Sequence, residues 1–374
     1  MTGTPLKIGI VCYPTVGGSS VIATEVAMQA AARGHEAHLI SYGLPHRLSE
    51  RIEGLHHHNV EVAGYPLMKY PPYDLALATR ILEVHEQVGI DVFHVHYAIP
   101  HAVSAFLARS MSETPLRFVT TLHGTDITVV GADPAYTRPT SFAIEQSDAV
   151  TAVSQFLAHE TQKLFGTRAN IEVIPNFVDT ERFRPGKAGK YYERSDEERL
   201  VFHASNFRPL KRVDDVVRAF AVIQRQVPAR LLLVGDGPDR EHAAAVAADL
   251  GCADRVELLG QHENPEELLA CADLCLLASE TESFGLTLLE AMSSEVPSAT
   301  TDVGGVREVL GEHGLYAPVG QPHALAEVAL PCLQDPELHR RLGSAGRERA
   351  QTNFAQRKIL DLYFELYQRV RDLR

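Results

Sequence analysis

Leu6-Lys7-Ile8-Gly9-Ile10-Val11-Cys12 runs into Tyr13-Pro14-Thr15-Val16-Gly17-Gly18-Ser19-Ser20, and Val21 to Arg33 follows as an alanine-rich stretch closed by Gly34. The first piece has the continuous apolar character of a strand buried on both faces. The second is turn-forming, and the third carries apolar positions at helical spacing with a glycine stop. This is one βα unit, and the chain repeats the pattern. Further strands are expected at His35 to Ser41, Asn59 to Ala63, Asp91 to His96, Leu116 to Thr121, Ala149 to Val153 and Ile171 to Ile174, most of them separated by helical stretches. Such alternation implies a mainly parallel sheet covered by helices on both faces.

Between Pro175 and Glu198 the composition shifts to Asn176-Phe177-Val178-Asp179, Arg184-Pro185-Gly186-Lys187 and the charged run Glu193 to Arg199, which reads as an interdomain linker. A second alternating series follows, with strands at Leu200 to Ala204, Arg230 to Val234, Arg255 to Leu259, Leu274 to Leu277 and Ser298 to Thr301. The expected fold is therefore α/β, with two doubly wound, Rossmann-like domains facing a cleft. Residues 1–180 form the first domain and 181–354 the second. The last segment, 355–374, has an apolar stripe of Ile359, Leu360, Tyr363, Phe364, Leu366, Tyr367 and Val370 that must pack somewhere, and it is assigned to the first domain.

Among the 374 residues, 45% are hydrophobic and 22% charged, as in an ordinary globular protein. With 48 acidic against 35 basic residues, the net charge of -13 argues against a bulk binder of nucleic acid or anionic membrane. Five scattered cysteines without a CxxC pair suggest neither a disulfide framework nor a zinc ribbon, and a reducing cytoplasm is expected. The first residues lack the features of a secretion signal, and no apolar run reaches the length of a spanning helix. Three consecutive histidines, His56-His57-His58, cannot share one helix face; a solvated loop is expected there, and no metal site anywhere.

Ligands of open α/β sheets bind beyond the carboxyl ends of the strands. Gly17-Gly18-Ser19-Ser20 lies at such an end, where helix amides receive anions, although a tight turn accounts for the glycines equally well. Neither this loop nor Gly235-Asp236-Gly237-Pro238 completes G-x-G-x-x-G, which disfavours an NAD oxidoreductase. His123-Gly124-Thr125-Asp126 follows another strand and can face a cleft, or the histidine can be a packing residue. His94 and His96 alternate on one strand face and read as packing or supporting residues. In Ser205-Asn206-Phe207-Arg208-Pro209-Leu210-Lys211-Arg212, three cations fall within five residues after a strand. A solvated charge run is the common reading of such a cluster, but the position favours a diphosphate clamp. Glu282-Ser283-Phe284-Gly285-Leu286-Thr287-Leu288-Leu289-Glu290 places two carboxylates, with seven residues between them, around a helix start whose amides, from Phe284 to Leu286, are exposed to an anion. Each acid alone could be a surface residue. Together they suit a ligand with hydroxyls at both ends and phosphate between, a nucleotide sugar.

These motifs, in this order, resemble the retaining glycosyltransferases of the GT-B fold in glycosyltransferase family 4, whose hallmark is the Glu, seven residues, Glu pattern. Gly17-Gly18, Arg208, Lys211, Gly235-Asp236-Gly237-Pro238 and Asp302-Val303-Gly304-Gly305 carry the likeness over nearly the whole chain. Tyr65 to Ala78, His94 to Ala102 and Thr120 to Thr128 are similar to the branch of that family that joins GlcNAc from UDP-GlcNAc to L-malate, the first step of bacillithiol biosynthesis.

The resemblance implies that Gly17, Gly18, Arg208, Lys211, Glu282, Phe284, Gly285, Leu286 and Glu290 hold the donor. It also implies that Ser19, Lys69, Tyr97, Thr121, His123 and Asn176 hold the acceptor. His123, Arg208, Lys211 and Glu282 would be catalytic, with no cofactor, no metal and a homodimer as the expected assembly. Ser20, Ser294-Glu295 and Arg307 depart from the family pattern. Rival readings are a transferase with another small polar or lipid-linked acceptor, a UDP-GlcNAc epimerase of the same fold, and a non-catalytic nucleotide-binding module. Malate-dependent UDP release separates the first reading from the epimerase.

Overall fold

The computed structural model describes residues 4–15, 17–45, 48, 51–64, 67–186 and 198–373. The chain divides into two compact units, Met1–Pro175 with Ile359–Arg374, and Asn176–Lys358. Most of the charged run expected in the linker lies outside the described residues, as do Tyr65 and Pro66.

The first unit holds β1 (Lys7–Val11), β2 (Glu36–Ser41), β3 (Leu55–Asn59), β4 (Val92–His96), β5 (Phe118–Leu122), β6 (Ala149–Ala152) and β7 (Ile171–Val173). They form one parallel sheet in the order β3-β2-β1-β4-β5-β6-β7. The second unit holds β8 (Arg199–Ala204), β9 (Ala229–Val234), β10 (Val256–Gly260), β11 (Leu274–Leu277), β12 (Ser298–Thr301) and β13 (Leu315–Ala317), all parallel in the order β10-β9-β8-β11-β12-β13. Each order reverses once, between β1 and β4 and between β8 and β11, and such switch points open a crevice beyond the strand ends. The motifs singled out above follow these four strands and β5, β9 and β12.

β1 and β4 are buried strands whose close packing explains one glycine. A Cβ on Gly9 would stand 2.2 Å from Cδ1 of Phe93, its register partner on β4, so only glycine lets that ring lie across the strand. The helix Gln356–Arg371 buries all seven stripe residues. Phe364 stacks on His35 at 4.9 Å, and the Tyr367 hydroxyl bonds Nδ1 of His94 at 2.6 Å, which fixes that helix to the first sheet.

Two expectations change. β13 was not expected, because Leu315-Tyr316-Ala317 is too short to show a period. The histidine triplet is not a loop: His56, His57 and His58 lie in edge strand β3, and the expected Asn59 to Ala63 strand overlaps it at Asn59 alone. Alternation across a strand separates His57 from its neighbours, and partners on β2 hold the rings: Ser41 meets His57 at 3.0 Å and His38 meets His58 at 2.9 Å. Among the described residues no helix is long and apolar enough to cross a membrane.

Candidate active site

In the second unit, the loops after β8, β9, β11 and β12 are tied into one platform. Ser205 to Arg208 presses on the glycine turn after β9 so closely that a Cβ on Gly235 would lie 1.8 Å from the Ser205 carbonyl oxygen, and one on Gly237 2.2 Å from that of Asn206. Both glycines also have positive φ, 117° and 156°. Gly235-Asp236-Gly237-Pro238 therefore owes its glycines to the packing of these two loops. The backbone amide of Glu280 donates to the Leu210 carbonyl at 2.8 Å, Thr287 Oγ1 to the Ala204 carbonyl at 3.2 Å, and the Gly305 amide to the Glu282 carbonyl at 2.9 Å.

On this platform Lys211 Nζ pairs with Glu282 Oε1 at 2.5 Å, and Ser279 donates to the same oxygen at 2.9 Å. Both charged groups are largely covered, whereas Arg208 is exposed at the head of the short turn Pro209–Lys211. Gly285 caps the helix Leu286–Ser293 at φ 93°, a conformation natural to glycine, and Phe284 is buried beside it. Glu290 lies one turn into that helix, half-buried. A cation pair, a carboxylate and a helix start so arranged can receive a diphosphate flanked by hydroxyl groups.

His203 was not expected. It lies in the apolar run of β8, where burial reads as packing, yet its Nδ1 donates to the Leu276 carbonyl at 2.9 Å and its Nε2 meets Ser205 Oγ at 2.8 Å. Burial, assisted by the Lys211 charge and opposed by Glu282, pushes its pKa down to about 4. Its signal in the sequence was a lone polar residue among Leu200, Val201, Phe202 and Ala204. Asn176, expected with the acceptor group, belongs to this second unit, where it is buried and its Oδ1 finds no hydrogen-bond partner.

The first unit offers a different surface. Ser19 Oγ, in the first turn of the helix Gly18–Ala32, meets the Tyr97 hydroxyl at 2.5 Å. Gly17 caps that helix and no side chain occupies the cap, leaving its amides directed outward. Tyr97 adopts φ 87°, rare for a residue with a side chain, and its ring lies 5.3 Å from that of His123. His123 Nε2 bonds His96 Nδ1 at 2.8 Å, and Asp126 accepts from the amides of His123, Gly124 and Ala98 at 3.1, 2.9 and 2.9 Å. Asp126 thus holds the loop that aims His123. Burial raises its carboxyl to about 6 against the three amides. His101, also unexpected, donates from Nδ1 to the His96 carbonyl, and the Nε2 atoms of His96 and His101 are buried without a partner.

Burial lowers His94 and His123 to about 3 and His101 to about 4. His123 is therefore an uncharged imidazole that supplies a hydrogen bond rather than a positive charge. Thr121 is corrected as well: its hydroxyl is fully buried and engaged by His94 Nε2 and Thr151 Oγ1, each at 2.6 Å, so the core and not a ligand takes it. Lys69 is exposed with its ammonium over the Tyr70 ring at 5.3 Å, and among the described residues no contact joins it to the histidine group.

Three departures from the family pattern have structural accounts. Ser20 is buried in the first turn of its helix. Glu295 holds φ 60°, where glycine is free of strain. Arg307 makes two 2.7 Å bonds to Asp302 and lies 4.1 Å over the Tyr316 ring.

Comparison with known proteins agrees in both halves. The model for Glycosyltransferase Family 4 matches residues 16–182, and that for Glycosyl transferases group 1 matches residues 190–349. N-acetyl-alpha-D-glucosaminyl L-malate synthase of Bacillus anthracis is 47% identical over 367 residues, 97% of this chain and 96% of that protein. D-inositol 3-phosphate glycosyltransferase of Nocardia farcinica is 27% identical over 87% of this chain and 79% of its own. A glycosyltransferase structure from Rickettsia africae superposes over all of both chains with a TM-score of 0.81 at 22% identity.

Proposed function

This chain belongs to glycosyltransferase family 4, and from that premise we propose that it transfers GlcNAc from UDP-GlcNAc to the hydroxyl of L-malate with retention at the anomeric carbon. The observation that carries the choice of substrates is the near-complete, 47% identical match to the Bacillus anthracis malate synthase. In this reading Arg208 and Lys211 take the diphosphate, Glu290 the ribose hydroxyls, and Gly17 and Gly18 give the phosphates room. Glu282, whose partners Lys211 and Ser279 share Oε1, offers Oε2 to a sugar hydroxyl beside the Phe284, Gly285 and Leu286 backbone.

Ser19, Tyr97 and His123 supply hydrogen bonds to acceptor and sugar, with Lys69 and Asn176 as the further acceptor groups. The bond from the anomeric carbon to the departing phosphate breaks while the bond to the malate oxygen forms on the same face. The phosphate oxygen takes the malate proton, so no protein base is needed. Negative charge builds on the leaving diphosphate, where the two cations lower the barrier. A cytoplasmic location belongs to the same reading, supported by the four buried thiols Cys12, Cys252, Cys275 and Cys332, none of them in a disulfide.

The test is an acceptor panel with UDP-GlcNAc, read by UDP release and product mass. Malate-dependent release of UDP with a GlcNAc-malate product is expected. Release with an inositol phosphate instead would replace the acceptor, and a changed sugar nucleotide without any acceptor would point to an epimerase.

A further inference from the structure

The histidine triplet that the transfer reaction does not use lies where a metal ion could be held. Glu36 and His38 stand two apart on β2, and His56 and His58 two apart on edge strand β3, with His38 in register with His56. Period-two alternation therefore puts all four side chains on one face. Glu36 Oε1 lies 3.2 Å from His38 Nε2 and 3.8 Å from His56 Nε2, and the ligand atoms of the three residues all fall within 4.8 Å of one another. An ion with tetrahedral bonds of 2.0 to 2.1 Å sets its ligand atoms about 3.3 Å apart. The first two separations bracket that value, and the exposed His56 ring can swing to close the third.

We propose that Glu36, His38 and His56 bind a divalent transition-metal ion of the zinc class. His58 meets the remaining nitrogen of His38, Nδ1, at 2.9 Å, and it acts as the outer partner that fixes the ring and its tautomer, as second nitrogens of metal-bound histidines generally require. Two imidazoles and one carboxylate suit zinc, cobalt or nickel rather than magnesium or calcium, which prefer oxygen. His38 is nearly buried while Glu36 and His56 reach solvent, so the fourth position is left to water. The ion would clip the outermost strand of the first sheet to its neighbour, on strands that carry none of the proposed donor or acceptor residues.

The test uses the untagged chain, titrated with Zn2+ by calorimetry and with Co2+ by visible absorption. About one ion per chain is expected, with a tetrahedral cobalt spectrum and a higher melting temperature under Zn2+ but not Mg2+. His56→Ala, at an exposed position, and Glu36→Gln, at a half-buried one, should each weaken binding about tenfold or more while leaving UDP release unchanged. The buried His38 is avoided because its replacement could unfold the chain. Absence of Zn2+ binding by the wild type would overturn the proposal. Equal binding by a His56→Ala and Glu36→Gln double variant would overturn it too, since the ion would then sit elsewhere.

Discussion

The two units present opposite chemistry at equivalent places in their sheets. Beyond the switch point of the second sheet stand charges: Arg208, Lys211 and Glu282, on loops bound to each other by backbone hydrogen bonds and close-packed glycines. Beyond that of the first stand neutral rings, His96, His101, His123 and Tyr97, packed on a buried core in which His94 bonds Thr121 and Tyr367 and lies 4.1 Å from the His96 ring. One topology thus supports a charged cluster in one half and a positioned set of neutral hydrogen-bonding groups in the other. The fold selects the location, and the residues at the strand ends select the chemistry.

The largest effect is expected where charge meets charge. Arg208→Ala removes an exposed cation and should lower kcat by about two orders of magnitude, about 2 to 4 kcal/mol of transition-state stabilisation, without changing the melting temperature. Lys211→Ala should match that loss and also destabilise the fold, because Glu282 is left largely covered with Ser279 as its remaining side-chain hydrogen-bond partner among the described residues. Steady-state kinetics with thermal melts would check both. Unaltered turnover in the pair would remove the clamp.

The first unit should fail by acid. His94, His101 and His123 are lowered to between about 3 and about 4, so the unfolded chain binds protons near pH 6.5 that the folded chain refuses. Stability contributed by these groups is full above pH 6.5 and is lost as pH falls through 6.5 toward 3 to 4, by about 1.4 kcal/mol per pH unit for each proton taken up on unfolding. Asp126 acts in the opposite sense between about pH 4 and 6, since its carboxyl is raised and the folded state keeps the proton longer, and it offsets about one histidine. Among the described groups with values near these, the second unit has His203 alone. Hydrogen exchange at pH 5 and pH 7 should therefore show β4 and β5 losing protection before β8 and β11. Equal loss in both units would break the comparison.

A smaller effect separates the glycines. Gly235→Ala meets a backbone oxygen at 1.8 Å with φ 117° and should cost about 1 to 3 kcal/mol in chemical denaturation. Gly17→Ala meets open space at φ −179° and should leave stability unchanged. The smallest change is Glu295→Gly, which relieves φ 60° and loses only a 3.9 Å ion pair with Arg347. A gain of roughly 0.5 kcal/mol is expected in the same assay.

What the sequence disclosed follows from the same division. Eleven of the thirteen strands were legible because buried parallel strands read as continuous apolar runs between turn residues, and the amphipathic stripe of the last helix showed that it must be covered. The charged motifs were legible because cations and carboxylates at strand ends have few structural reasons to be there. The histidine network was only half legible. His203 and His101 look like packing residues in sequence, and Thr121, at the end of an expected strand, was assigned to the acceptor, since nothing local tells whether a hydroxyl at a strand end faces a ligand or a buried His94. The triplet at β3 was misread because its partners, Glu36, His38 and Ser41, are supplied by a neighbouring strand some twenty residues earlier.

The most direct test of the account is the anomeric configuration of the product formed from UDP-GlcNAc and L-malate, read by the proton coupling at the anomeric carbon. The account predicts an α-linked GlcNAc-malate, formed with one UDP per product and without a trapped glycosyl-protein adduct. A β-linked product, or UDP release indifferent to malate, would contradict it.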